Sequence, residues 1–172
     1  MRKLPDWPQQ VHRVLRAQHV RQVAYVPDGG LQQLIALASA DANMRAVPLT
    51  TEEEGVALAT GAWLGGERSA LLMQSSGVGN CINMLGMAME CRIPLLLVVT
   101  MRGQWGEFNP WQLPMAQATA TVLGAMGVVV QTAEEPAAIA DTVAAAGNLA
   151  FNTHRVVAVL IAQRAVGTKV FK

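Results

Sequence analysis

The stretch from residue 50 to residue 80 holds the chain's densest set of side chains suited to acid–base or ligand chemistry. Thr50-Thr51-Glu52-Glu53-Glu54-Gly55 sets three consecutive carboxylates ahead of the small apolar run Val56-Ala57-Leu58-Ala59. Two of the three have a sufficient structural role. A threonine followed three residues later by Glu makes a capping box, with Thr50 and Glu53 or Thr51 and Glu54 as the pair. Acidic residues in a first turn also suit the helix dipole. Glu52 differs because it directly follows an apolar strand and so stands at a sheet edge, partly withdrawn from water. Carboxylates in such clefts are candidate catalysts.

A second group is Gln74-Ser75-Ser76-Gly77-Val78-Gly79-Asn80. Gly77 and Gly79 admit a flat ring close to the backbone, or else mark an ordinary strand-to-helix turn. Ile82 stands where a dinucleotide fingerprint needs its third glycine, which disfavours that reading. Gln74, Ser75 and Ser76 offer polar groups to a cleft, or cap the following helix. Asp28, in Pro27-Asp28-Gly29-Gly30, suits a turn. Arg102 is a candidate for gripping a substrate anion through its guanidinium, with an exposed loop cation as the alternative. Its loop, Met101 to Leu113, gathers Trp105, Phe108 and Trp111. That suggests a lid, a partner interface or simple packing over the sheet edge. His12, His19 and His154 form no acid–base pair and are expected on helices or at the surface. Cys81 and Cys91, ten apart, match no metal or redox spacing and are expected to be buried, reduced thiols.

The elements that must position these residues alternate along the whole chain. Strands are expected at Gln22 to Val26, Met44 to Leu49, Ala70 to Gln74, Leu95 to Thr100, Val128 to Gln131 and Val156 to Ile161. Helical spacing occupies Leu31 to Ala38, Glu52 to Leu64, Asn80 to Glu90, Met115 to Met126 and Glu134 to Leu149. Uniformly apolar strands separated by helices predict an α/β, doubly wound, six-stranded parallel sheet with helices on both faces. In such a sheet ligands bind beyond the carboxyl ends of the strands. That is where Pro27 to Gly30, Thr50 to Glu54, Gln74 to Asn80 and the Met101 loop fall.

At 172 residues the chain has the size of one domain, expected over 1–172 with a loose tail at 167–172. It is 52% hydrophobic and 15% charged, so it either buries a sheet on both faces or keeps apolar surface for a partner. A net charge of +1 without charge blocks gives no footprint for nucleic acid or an anionic membrane. Met1 to His19 carries Arg2, Lys3, Asp6 and His12 and lacks a continuous apolar run, so no secretory signal is expected. The apolar run Pro94 to Val99 is too short to span a bilayer. A cytoplasmic location is expected.

The run Glu52 to Trp63 is similar to the helix opening of pyrimidine-binding domains in thiamine diphosphate enzymes, where a Glu lies nine residues before a Gly, as Glu52 lies before Gly61. Leu72 to Asn80 with Ile82-Asn83 resembles the Gly-rich segment of sulfopyruvate and phosphonopyruvate decarboxylases. Val26-Pro27-Asp28-Gly29, Met101-Arg102-Gly103 and Pro114-Met115 fit the same group, in the same order. The resemblance covers roughly Gln22 to Val130 and implies that Glu52 bonds N1′ of the cofactor's aminopyrimidine and favours the tautomer that takes the thiazolium C2 proton. It implies Pro27, Gln74, Ser75, Gly77, Gly79 and Asn80 around the cofactor, and Asp28, Ser76 and Arg102 toward a small 2-oxo acid. Such enzymes also need a diphosphate-binding domain with Gly-Asp-Gly and paired asparagines. Neither motif occurs here, so no metal ligand is expected in this chain. Mg2+ is assigned to a separate β subunit, with this chain as the α subunit of a hetero-oligomeric decarboxylase. A carboligase or synthase subunit, or a non-catalytic module of the same fold, stay open as alternatives.

Overall fold

The computed structural model describes residues 6–167, so the expected tail lies outside them apart from Gly167. Strands β1 (Val20–Tyr25), β2 (Arg45–Pro48), β3 (Arg68–Gln74), β4 (Leu95–Thr100), β5 (Val129–Ala133) and β6 (Val156–Ile161) form one sheet. Their order is β2-β1-β3-β4-β6-β5, and every pairing is parallel. The helices are α1 (Trp7–Ala17), α2 (Gln32–Ala40), α3 (Glu52–Leu64), α4 (Ser75–Glu90), α5 (Leu113–Ala125), α6 (Ile139–Thr153) and the short α7 (Gln163–Val166).

Strand order and crossover handedness together decide which face each helix covers. Right-handed connections running from β2 toward β5 carry α3, α4 and α5 on one face. The two that run back, β1 to β2 and β5 to β6, carry α2 and α6 on the other, where α1 joins them. The packing agrees. One core gathers Val11, Leu15, Leu34, Val143 and Phe151 against Val23, Leu72, Val98 and Val157. The second gathers Val56, Val78, Leu85 and Leu123 against Leu71, Met73, Leu97 and Leu160. β4 and β6 are buried throughout, as their unbroken apolar sequences require, while the edge strands β2 and β5 are only half-buried.

Three expectations change. α1 lies in a segment for which no element is expected. Trp7, Val11 and Leu15 recur there at helical spacing behind Pro8 in the first turn, and all three are buried. α4 begins at Ser75, directly after β3, so Ser75 to Asn80 is helix rather than a loop preceding one. The chain accepts the helix-weakening Gly77 and Gly79 because of what packs against them. α6 starts at Ile139, with a 3-10 turn over Pro136–Ala138 ahead of it, because Pro136 cannot sit in a helix interior. No described helix is long and apolar enough to cross a membrane.

Candidate functional site

Thr51 and Glu54 form the capping box of α3, and the Glu54 carboxylate also accepts the Thr50 N–H at 2.8 Å. Of the two sequence alternatives, the second is the one adopted. Glu53 is exposed, and Glu52 alone of the three turns inward, with 7% of its surface accessible. Its carboxyl enters the seam between α3 and α4, against Gly77. A β-carbon at Gly77 would overlap the Glu52 carboxyl group, so only glycine leaves room for it. One helical turn on, Asn80 Nδ2 donates to Glu52 Oε2 at 2.7 Å. Oε1 makes no hydrogen bond among the described residues, yet is not sealed from solvent.

Gly77 therefore provides clearance for a carboxylate of the same chain. Gly79 does the same for α5: its missing β-carbon would lie 3.1 Å from Met115 Sδ. Cys81, one turn beyond Gly77, is buried. Its thiol is pushed up to about 12, first by burial and then by the neighbouring Glu52 and Glu53 charges. Cys91 is exposed, which corrects the expectation of two buried thiols, because it caps the C-terminus of α4 beyond its packed face.

A second polar group lies over the ends of β1, β4 and β6. Thr100 Oγ1 donates to Asp28 Oδ2 at 2.8 Å, and that oxygen also accepts the Gly30 N–H at 3.1 Å. Asp28 is thus buried and tied into its turn, as its sequence context suggests. The buried Ser75 hydroxyl accepts the Arg102 N–H at 3.1 Å, which links the start of α4 to the loop after β4. Asp28, Thr100, Arg102 and Gln163 line a cavity of about 140 Å³. Pro27 is exposed on the α2 side, beside a cavity of about 370 Å³ with Tyr25, Gln32 and Ile35. Ser76 is half-buried in the first turn of α4. Gln74, closing β3, has a buried side-chain oxygen with no hydrogen-bond partner among the described residues. Such an orphaned acceptor is costly unless something donates to it.

Arg102 is buried and is not the exposed loop cation offered as the alternative. Its Nε and Nη2 donate to Glu107 at 2.8 and 2.7 Å, a bidentate pair that takes the fork of the guanidinium. Glu107 also accepts the N–H groups of Gly103 and Asn109, each at 3.1 Å. Its carboxyl is held down at about 2, chiefly by the Arg102 bonds. Gln163 fastens the same loop. Its side-chain oxygen accepts the Gln104 and Trp105 N–H groups, and its amide donates to Glu107 at 3.1 Å. The loop is an organised platform that exposes Trp105, Phe108 and Trp111. Thr100, Glu107 and Gln163 join the candidate residues only in the folded chain. Glu107, the one acid between Met101 and Leu113, was the available signal for Arg102's partner. No group of three or more His, Cys, Asp or Glu residues among the described residues is arranged to hold a metal ion. His12 pairs with Asp41 at 3.0 Å, and His19 and His154 sit in left-handed backbone at helix ends, away from Glu52.

The comparisons bear on what this edge is for. The α subunit of sulfopyruvate decarboxylase from Methanothermobacter thermautotrophicus is 35% identical over 137 residues, covering 79% of this chain and 83% of that protein. The subunit of the same name from Methanococcus maripaludis is 33% identical over 152 residues, covering 88% and 91%. A phosphonopyruvate decarboxylase from Streptomyces viridochromogenes is 40% identical over 89 residues, covering 51% of this chain and 22% of that protein. Among solved structures, 2-oxoglutarate:ferredoxin oxidoreductase from Magnetococcus marinus superposes with a TM-score of 0.75 at 19% identity, over 93% of this chain and 29% of that one, a likeness of fold. The family model for the thiamine pyrophosphate enzyme N-terminal TPP-binding domain matches residues 7–107, more than half of the chain, and the protein belongs to that family.

Proposed function

We propose that this chain is the α subunit of a two-chain, thiamine diphosphate-dependent 2-oxo-acid decarboxylase, and that Glu52 is its catalytic carboxylate. The observation that carries the reading is the placement of Glu52. It is buried at the carboxyl edge of the sheet, seated against Gly77 and held by Asn80 through one oxygen, with the other left open. The names of the α subunits similar to it favour sulfopyruvate, or a 2-oxo acid like it, as substrate.

The residues present fit the pyrimidine end of the cofactor. Glu52 would hold it at N1′ and keep or release a proton there. When bound, thiamine diphosphate supplies the electron sink that stabilises the charge left as carbon dioxide departs. Ser75 sets the start of α4 against the Arg102 loop and so fixes the distance between the two polar groups. Arg102, paired with Glu107, shapes this edge, and Asp28 with Thr100 lines the adjoining cavity. The diphosphate and its Mg2+ fall to a β subunit, for which the exposed Trp105, Phe108 and Trp111 offer apolar contact area.

The test is Glu52→Gln in the enzyme recovered with its partner. The variant keeps shape and assembly but cannot exchange a proton, so turnover should fall by a factor on the order of 100 to 10,000, the usual worth of acid–base catalysis. Native mass spectrometry should show the complex intact. Wild-type turnover in the variant would remove Glu52 from the mechanism.

A further inference from the structure

Glu52 is a flexible side chain asked to hold one orientation at a helix start, and burial alone does not select it. Freezing such a side chain costs rotamer entropy, so something must hold it. Gly77 only makes space. The single hydrogen bond to the Glu52 carboxylate among the described residues comes from Asn80, three residues after Gly77 and hence on the same helix face. Asn80 is itself exposed, and asparagine is a poor helix former, so neither packing nor propensity accounts for it at this place in α4. An ionised carboxylate only accepts, so the amide must present its nitrogen to Oε2.

We infer that Asn80 is a positioning residue for Glu52: its amide N–H pins Oε2 in the α3–α4 seam and thereby leaves Oε1 as the oxygen that meets a ligand. The inference rests on the reading of Glu52 given above, and it moves Asn80 from touching the cofactor to acting through the carboxylate. Shape and donor capacity can be separated here. Asn80→Asp keeps the outline of the side chain but replaces the N–H donor with a second carboxylate, whereas Asn80→Ala removes both.

In the assembled enzyme both variants should lower kcat by roughly ten- to a hundredfold, the worth of a hydrogen bond to a charged group, while KM for thiamine diphosphate stays within about threefold. N80D should recover relative to N80A as pH falls, because the introduced carboxyl, once protonated, can donate to Glu52. The other ionisable groups at the seam are Glu53, which is exposed, Glu54, which is committed to the cap, and Cys81, whose thiol is pushed up to about 12. None of them supplies that recovery. A readout free of turnover is the infrared carboxylate band of Glu52 in the full chain without cofactor, isolated by subtracting the E52Q spectrum. It should move in N80A.

N80D turning over like wild type would show that shape suffices and overturn the inference. So would an unmoved carboxylate band, or a large rise in KM for the cofactor at unchanged kcat, which would make Asn80 a direct ligand. If E52Q itself turns over normally, the reading of Glu52 fails. The infrared band then still reports whether the Asn80 contact exists, so the two failures are told apart.

Discussion

Replacing Glu107 by alanine removes the acceptor on which the loop after β4 converges. Five N–H groups lose their partner: Arg102 Nε and Nη2 at 2.8 and 2.7 Å, and the Gly103 and Asn109 backbone and Gln163 side-chain donors at 3.1 Å each. The Arg102 and Glu107 side chains are only 10% and 4% exposed, so the pair counts as buried. Removing one member of such a pair costs about 3–5 kcal/mol, since an uncompensated guanidinium stays behind. If that loss reaches the whole fold, Tm falls by roughly 6–20 °C at about 2–4 °C per kcal/mol for a chain of this size. If the loop opens independently of the sheet, the loss is local, and hydrogen exchange is the assay that sees it. Amides of Gly103, Gln104, Trp105 and Asn109 should then exchange at least a hundredfold faster. Unchanged exchange at these amides, with Tm within about 2 °C of wild type, would place the pair among ordinary surface salt bridges and refute the reasoning. Acid gives a second check. The Glu107 carboxyl lies at about 2 in the folded chain, against an ordinary 4.5, chiefly through the Arg102 bonds and further through the Asn109 and Gly103 N–H groups. A lowered folded value means the contribution is complete above about 4.5 and is lost as pH falls through about 2. Loop protection in the wild type should therefore be full above about pH 4.5 and decline progressively below it toward about pH 2, and E107A should lack that acid-dependent loss.

Gly77→Ala should destabilise the chain by about 1–3 kcal/mol and abolish turnover, because the new methyl group and the Glu52 carboxyl claim the same space. Thermal melting and turnover check it against Gly79→Ala. There the neighbour is only the flexible Met115 thioether, so stability should change little or rise by up to about 1 kcal/mol through helix propensity. Thiol titration of the native chain at neutral pH should find one reactive cysteine, the exposed Cys91. Cys81, buried and with its thiol pushed up to about 12, should react only after unfolding.

Much of this architecture was legible in the residues. β4 and β6 were bounded correctly because unbroken runs such as Leu95-Leu96-Leu97-Val98-Val99 suit only a strand covered on both faces. α3 was bounded correctly because threonine caps and a triple-Glu first turn mark its start. α1 was overlooked because its apolar residues are few and are interleaved with Gln, His and Arg. The start of α4 was misplaced because glycines usually mark turns, and a sequence does not reveal that a carboxylate from the preceding helix needs their missing β-carbons.

The sequence by itself determined the layered parallel fold and the start of α3, where Glu52 stands. Those depend on hydrophobic period, caps and residue type, which are local properties of the chain. Only the tertiary structure decided who meets whom. Asn80 reaches Glu52 across 28 residues, Thr100 reaches Asp28 across 72, and Gln163 reaches the Gln104 N–H across 59. The Arg102 fork turns to Glu107, five residues on in the same loop. Such pairings arise from strand order, which brings distant segments to one sheet edge, and from the high cost of leaving a buried charge or donor unpaired.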